Sequence, residues 1–215
     1  MKMTSRTMVI AVSVLVSAAL ATRAWAGAPT EVVKQYTEQV VKVLEDPALK
    51  GDDKRAERRA TVRKIAVEVF DVNETARRAL GRHWAARSPA EREEFVQLFT
   101  DLLDRTYVSR IDQYGGEKVR FVGETIDGDT ALVKTKIVTK QGTEIPVDGR
   151  LLHRNDKWLI YDIIIEGVSL VANYRAQFDK IITKSSYAEL VRQLKDKSGD
   201  LSNGGTAPPP RRGSS

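Results

Sequence analysis

Few side chains in this sequence can do acid–base or metal chemistry. There are two histidines, His83 and His153, and no cysteine. The lack of cysteine removes disulfides, thiolate metal sites and cysteine nucleophiles together. His83 sits at a predicted helix end and His153 at a predicted strand end. Neither has a second ligand-type residue at metal-binding spacing. No phosphate loop, nucleophile elbow or dinucleotide fingerprint is present. One carboxylate stands out. Asp162 is the only charged residue in the apolar run Trp158 to Ile165. An acid so placed is either a general base held in a dry pocket or a buried group bound to backbone or to Arg175.

The run around Asp162 organises the chain. Eight residues rich in Ile and aromatics read as a strand that is apolar on both faces. Glu166-Gly167 breaks it, and glycine permits the positive φ that re-aims the chain. Ser169 then caps a helix in which Val168, Val171, Ala172, Arg175 and Phe178 recur at helical spacing.

Three more strands precede this one: Lys118 to Ile126, Thr130 to Thr139 and Glu144 to His153. Their connections are Asp127-Gly128, Gln141-Gly142-Thr143 and Asn155-Asp156. Loops this short mean hairpins, so the fold is α+β with a four-stranded antiparallel meander. Loop length sets register. It puts Val122 opposite Val133, Ile137 opposite Val147, Val133 opposite Leu151, Leu151 opposite Ile160, and Val147 opposite Ile164. One face then carries Val122, Ala131, Val133, Ile137, Val147, Leu151, Ile160 and Ile164, with Asp162 opposite Gly149. The other is mixed, with Phe121, Leu132, Leu152, Leu159, Tyr161 and Ile163 among charges.

The half before the sheet is helical. Thr30 caps a first helix with the stripe Val33, Tyr36, Val40 and Leu44, ended by Asp46-Pro47. Lys54 to Val69 is a second helix with a basic cluster of Lys54, Arg55, Arg58, Arg59, Arg63 and Lys64. Such a cluster is either a membrane-surface face or a solvated face with Glu57 and Glu68 nearby. Asp71 or Asn73 caps a short helix ended by Gly81. Ser88-Pro89-Ala90-Glu91 is a capping box opening a long helix to about Gln113. After the sheet, Ser185-Ser186 caps a last helix.

The N-terminus has a basic start, an apolar run from Met8 to Ala21 and the small-residue site Ala24-Trp25-Ala26. The run is shorter than the ~20 residues of a membrane span. It reads as a leader, residues 1–26, cleaved after Ala26, with an uncleaved anchor as the alternative. The net charge is +6. Removing Lys2, Arg6 and Arg23, which no acid offsets, leaves +3, so the high pI does not argue for nucleic acid. The domain is then 27–197, with residues 27–116 mainly helical and 117–197 the sheet and last helices. Residues 198–215 are rich in Gly, Ser and Pro and read as a disordered tail.

The stretch W-x-x-Y-D-x-x-I-E-G-V-S-L-V-x-N-Y-R-x-Q-F, Trp158 to Phe178, resembles the C-terminal signature of the MlaC family. The likeness continues more weakly at Ala79-Leu80-Gly81-Arg82-His83-Trp84, Glu94-Phe95, Phe99, Leu102-Leu103 and Tyr107, and covers roughly residues 30 to 197. The family consists of periplasmic phospholipid-binding proteins of the Mla lipid-transport system, also known as toluene-tolerance proteins. The resemblance implies a periplasmic shuttle without chemistry and without cofactor or metal, acting as a monomer. It would exchange phospholipid with an outer-membrane lipoprotein–porin complex and an inner-membrane ABC transporter bearing MCE domains. It also implies an NTF2-like arrangement, in which helices close a sheet over an apolar pocket. The lining would come from Phe99, Leu103 and Tyr107 on the long helix, Val122, Val133, Ile137, Val147, Leu151, Ile160 and Ile164 on the sheet, and Val168 and Val171 beyond it. The same residues could form an ordinary packed core. Alternatives of function are a carrier of another apolar ligand, such as a hopanoid or solvent, and an NTF2-like enzyme with Asp162 as base.

Overall fold

The computed structural model describes residues 29–200. The expected leader, and the tail from 201 onward, lie outside the described residues. Helix α1 spans Pro29–Glu45, α2 Arg55–Val69, α3 Val72–Leu80 and α4 Pro89–Tyr107. Strands β1 (Lys118–Asp127), β2 (Thr130–Val138), β3 (Glu144–Arg154), β4 (Lys157–Ile165) and β5 (Val168–Ser169) follow. Then come α5 (Leu170–Lys184) and α6 (Tyr187–Asp200). The sheet is antiparallel in the order β1-β2-β3-β4-β5. It has five strands where the sequence reading has four, because Ile165 pairs with Val168 across Glu166-Gly167.

Local signals explain the ends of the elements. Asp71 caps α3 by accepting from the Glu74 amide at 2.9 Å, and Gly81 stops it at φ +57°. The capping box opens α4, with the Glu91 amide donating to Ser88 Oγ and the Ser88 amide donating to Glu91. Ser169 and Ser186 cap α5 and α6. Asn155 and Asp156 both take positive φ, as do Glu166 and Gly167, the backbone of tight hairpin turns whose twist matches the strands. Three expectations change. Thr30 does not cap α1. Its amide and hydroxyl donate to Glu124 instead, fastening the helix start to β1. Beyond Tyr107 the long helix tightens into a 3-10 segment, Val108–Gln113. The last helix includes Ser198 to Asp200, which were expected in the tail.

Register departs from the expected pairing at every hairpin but the last. The first turn sits one residue later, so Glu124 rather than Val122 faces Val133, and a bulge separates Phe121 from Gly123. Val122 falls in the bulge and is 55% exposed. Between β2 and β3, Ile137 faces Ile145 rather than Val147, and Val133 faces Gly149 rather than Leu151. Both of these shifts are by two residues, and a shift of two keeps each side chain on its face. Before the β1 bulge, however, the offset is one, which brings Val119 and Phe121, the latter expected on the mixed face, to the inner side. In the last hairpin Leu151 does face Ile160, but a bulge at Tyr161 follows. One extra residue exchanges the faces beyond it. Asp162 now faces Arg150 and Ile164 faces Asp148, on the outer side. Ile163 and Ile165, facing Gly149 and Val147, replace them on the inner side.

Two apolar cores result. One lies on the inner sheet face, where Ala131, Val133, Leu151, Trp158 and Ile160 pack with Val69 and with Val32, Val33 and Tyr36 of α1. The other is helical. Phe95 and Phe99 of α4 pack with Ala76, Ala79 and Leu80 of α3, Phe178 of α5, and Leu190 and Leu194 of α6. The Phe95 and Phe99 rings each meet Phe178 edge-on, at 5.7 and 5.4 Å.

Charges join the layers. The basic cluster of α2 is only partly a solvated face: Lys54 pairs with Glu57 at the surface, but four of its arginines reach across to other elements. Arg55, Arg58 and Arg59 converge on Asp112 of the 3-10 segment, and Arg63 pairs with Asp104 of α4. Burial alone would raise the Asp112 carboxyl, but Arg58 and Arg59 outweigh it and hold it below its usual range. Glu74 is 4% exposed and is met by Arg77, Arg78 and Arg154. The hydrogen bond from Arg77, against burial and with help from Arg78, lowers its carboxyl from 4.5 to about 2.

The depressed Glu74 value sets a pH window. Its contribution is complete above an unfolded-state value near 4.5 and is lost as pH falls toward 2. Glu74→Gln should therefore cost on the order of 2 kcal/mol at pH 7 and much less at pH 2. Denaturant titrations at both pH values check this, and an equal loss at both would contradict it. Gly167, at φ +81°, supports a second expectation. Gly167→Val should destabilise by more than ~1 kcal/mol through backbone strain, readable as a lowered melting temperature.

Candidate functional site

The inner sheet face is covered unevenly. Toward one end Val133 and Leu151 are 0% exposed and Ile160 5%. α1 closes this end with Val32, Val33 and Tyr36. At the other end Val119, Ile137, Ile145, Val147 and Ile165 occupy one contiguous patch of the same face, and none of them is fully buried. Five aliphatic side chains on a covered face that remain partly accessible mark a place where the packing is left open.

A cleft of about 920 Å³ meets this open end. Its floor includes Val119 and Phe121 of β1 and Val41 of α1, and Tyr114 stands at its side. Lys34, Glu38, Lys42 and Glu45 follow one another along the α1 lip, and Glu117 and Lys118 line the β1 side. Tyr114 Oη donates to Glu45 Oε1 across 3.1 Å. The Asp112 cluster holds the segment just before Tyr114, so α2 fixes this wall of the cleft through its arginines. An apolar floor with a charged lip suits an amphiphile better than a small polar substrate.

The twelve residues expected to line a pocket fall into several groups. Val133, Leu151 and Ile160 lie together in the closed part of the sheet core. Ile137 and Val147 lie at its open end. Phe99 is sealed in the helical core and Leu103 packs against it, with Tyr107 at the end of α4. Val171 is buried at the start of α5. Val122 is on the exposed bulge, Val168 is 44% exposed in β5, and Ile164 is on the outer face. The open end instead gains Val119, Phe121, Ile145 and Ile165. A signal for part of this was available. A glycine inside a strand marks a bulge, and Gly123 is where the β1 pairing slips.

Asp162 acts as a structural tie. Its side chain is 1% exposed. Oδ1 accepts from the Val171 amide at 3.0 Å, and Oδ2 accepts from Ser169 Oγ at 2.6 Å and from Arg150 at 3.2 Å. Its partner is Arg150, not Arg175, whose aliphatic stem lies by Gly81. The carboxylate faces away from the cleft floor. His83 Nε2 lies 2.8 Å from Asp179, and the His153 ring lies 5.0 Å from that of Trp158. Among the described residues no three His, Asp or Glu side chains gather to hold a metal ion.

Asp162→Ala would leave the buried Val171 amide and the partly buried Ser169 hydroxyl unpaired, and would take from half-exposed Arg150 its carboxylate partner. It should cost about 3 kcal/mol in a denaturant titration. A loss below ~1 kcal/mol would show that these bonds do not hold α5 to the sheet.

Comparison with known proteins adds three findings. The MlaC protein family model matches residues 34–196. The intermembrane phospholipid transport system binding protein MlaC of Haemophilus influenzae is 21% identical over 141 residues. That match covers 63% of this chain and 66% of the relative. The phospholipid-binding protein from Ralstonia solanacearum, solved in complex with a phospholipid, superposes with a TM-score of 0.73 at 24% identity. The superposition covers 82% of this chain and 100% of the Ralstonia chain.

Proposed function

The chain belongs to the MlaC family, and from that premise we propose that it carries phospholipid across the periplasm without chemistry. It would pass lipid between an outer-membrane lipoprotein–porin complex and an inner-membrane ABC transporter with MCE domains. The leader 1–26 would deliver it to that compartment. The relative from Haemophilus influenzae, named for intermembrane phospholipid transport, and the lipid-bound Ralstonia protein support this reading.

The observation that carries it is the uneven cover of the inner sheet face. An acyl chain leaving a bilayer loses ~0.8 kcal/mol for every CH₂ exposed to water. A carrier must therefore offer apolar surface that is sheltered but not already filled. Val119, Ile137, Ile145, Val147 and Ile165 have that character, and the adjoining cleft gives the chain a way in. Ligand could also part α1 from the sheet and reach Val133, Leu151 and Ile160, so that helices and sheet act as an NTF2-like cone. Phe99, with Leu103 against it, stiffens the helical layer behind this.

Extraction of the purified protein with organic solvent, followed by mass spectrometry, tests the proposal. Diacyl phospholipid in near-stoichiometric amount is expected. A hopanoid or solvent in its place, or no lipid at all, would refute it. Two substitutions locate the site. Val147→Phe, at the open end, should lower lipid content while leaving the melting temperature of delipidated protein unchanged, since the ring occupies unfilled space. Val133→Phe, in the closed part, should overpack and cost ~1–3 kcal/mol. Delipidated samples are needed because bound lipid stabilises by mass action. The reverse pattern of effects would move the acyl site to the closed part.

A further inference from the structure

The α1 lip of the cleft carries Lys34, Glu38 and Lys42 at four-residue intervals. Opposite charges at this spacing usually pair, because their side chains are neighbours on the helix. Elsewhere in this protein they do: Arg78 with Glu74, Arg87 with Glu91, and Arg192 with Asp196. Along the cleft they do not. Among the described residues, the side chains of Lys34, Glu38 and Lys42 make no ion pair, and neither does Lys118 across the cleft. The other carboxylates of the lining are engaged. Glu45 accepts from Tyr114, Asp46 from the Ala48 amide, and Glu117 from the Gly115 amide. One free carboxylate is thus flanked by two free ammonium groups along the lip, above an apolar floor of Val41, Val119 and Phe121.

Resting on the carrier reading above, we infer that this lip seats a zwitterionic phosphoethanolamine headgroup. The phosphate lies against Lys42 or Lys34, and the primary ammonium against Glu38. The geometry suits that class. Side chains four apart on a helix are separated by about 5–6 Å at Cβ, and phosphoethanolamine holds its two charges two carbons apart. Charge-assisted contacts of both signs are then satisfied at once. A phosphatidylglycerol headgroup has the phosphate but no cation, and leaves Glu38 facing a negative ligand. The acyl chains run down the apolar floor toward Ile137 and Val147.

Loading from mixed vesicles tests this. Delipidated full-length protein is incubated with equimolar phosphatidylethanolamine and phosphatidylglycerol, recovered, and its lipid quantified by mass spectrometry. The wild type should take up the ethanolamine lipid in at least threefold excess. Glu38→Lys should reverse the preference toward phosphatidylglycerol, with the melting temperature of delipidated protein unchanged since position 38 is exposed. Lys42→Glu should weaken uptake of both lipids. Glycerophosphoethanolamine, the same headgroup without acyl chains, should not displace bound lipid at millimolar concentration. Displacement by it would overturn the assignment to a lipid. Uptake in the vesicles' own ratio by wild type and Glu38→Lys alike would overturn the headgroup inference and leave the carrier reading standing. A wild type that takes up neither lipid would overturn both.

Discussion

A buried carboxylate has to be satisfied, and in this protein the way Asp162 is satisfied holds the two halves of the fold together. One bond reaches the Val171 amide at the start of α5, one the Ser169 hydroxyl and one Arg150 on the neighbouring strand. Ser169 in turn accepts from the Ala172 amide. Helix start, hairpin turn and sheet therefore share a single acceptor, and an acceptor that is dry loses far more when a partner leaves than one in water. The Tyr161 bulge makes this possible. Without it Asp162 would point toward the apolar sheet core, away from the Val171 amide and Ser169 hydroxyl.

The same bulge separates the sheet's two roles. Before it, Trp158 and Ile160 belong to a closed core with Val69 and α1. After it, Ile163 and Ile165 continue the inner face toward the open end. A sheet that is tightly packed at one end and loosely covered at the other can hold its shape while one part of it exchanges contents. The arginines of α2 serve the same end by gripping Asp112, two residues before the cleft wall at Tyr114.

How much of this could be read in advance follows from the range of each interaction. Caps and turns act within four residues, so Ser88, Gly81, Ser169, Asn155-Asp156 and Gly167 announced themselves correctly. Which residues share a sheet face was mostly legible, because shifts of two residues at the first two hairpins left the alternation intact. Single inserted residues were harder. Gly123 gave a hint in β1, and in β4 the acid on an otherwise apolar face was itself the symptom, since a bulge removes the conflict. The destination of the α2 arginines was not legible, because their carboxylates lie about forty to fifty-five positions away and nothing local selects them. Nor was the open end of the sheet. An Ile in a strand reads the same whether its neighbour is a side chain or a gap.

The helical core has a consequence for how the chain is made. Phe95 and Phe99 are covered by Phe178, Leu190 and Leu194, which emerge during synthesis only after the whole sheet. Until then α3 and α4 have only each other to cover their apolar faces, and closing so long a loop is slow. The growing chain is therefore denied its stable form until nearly all of it exists. A polypeptide with that delay completes its helical layer after its synthesis rather than along with it.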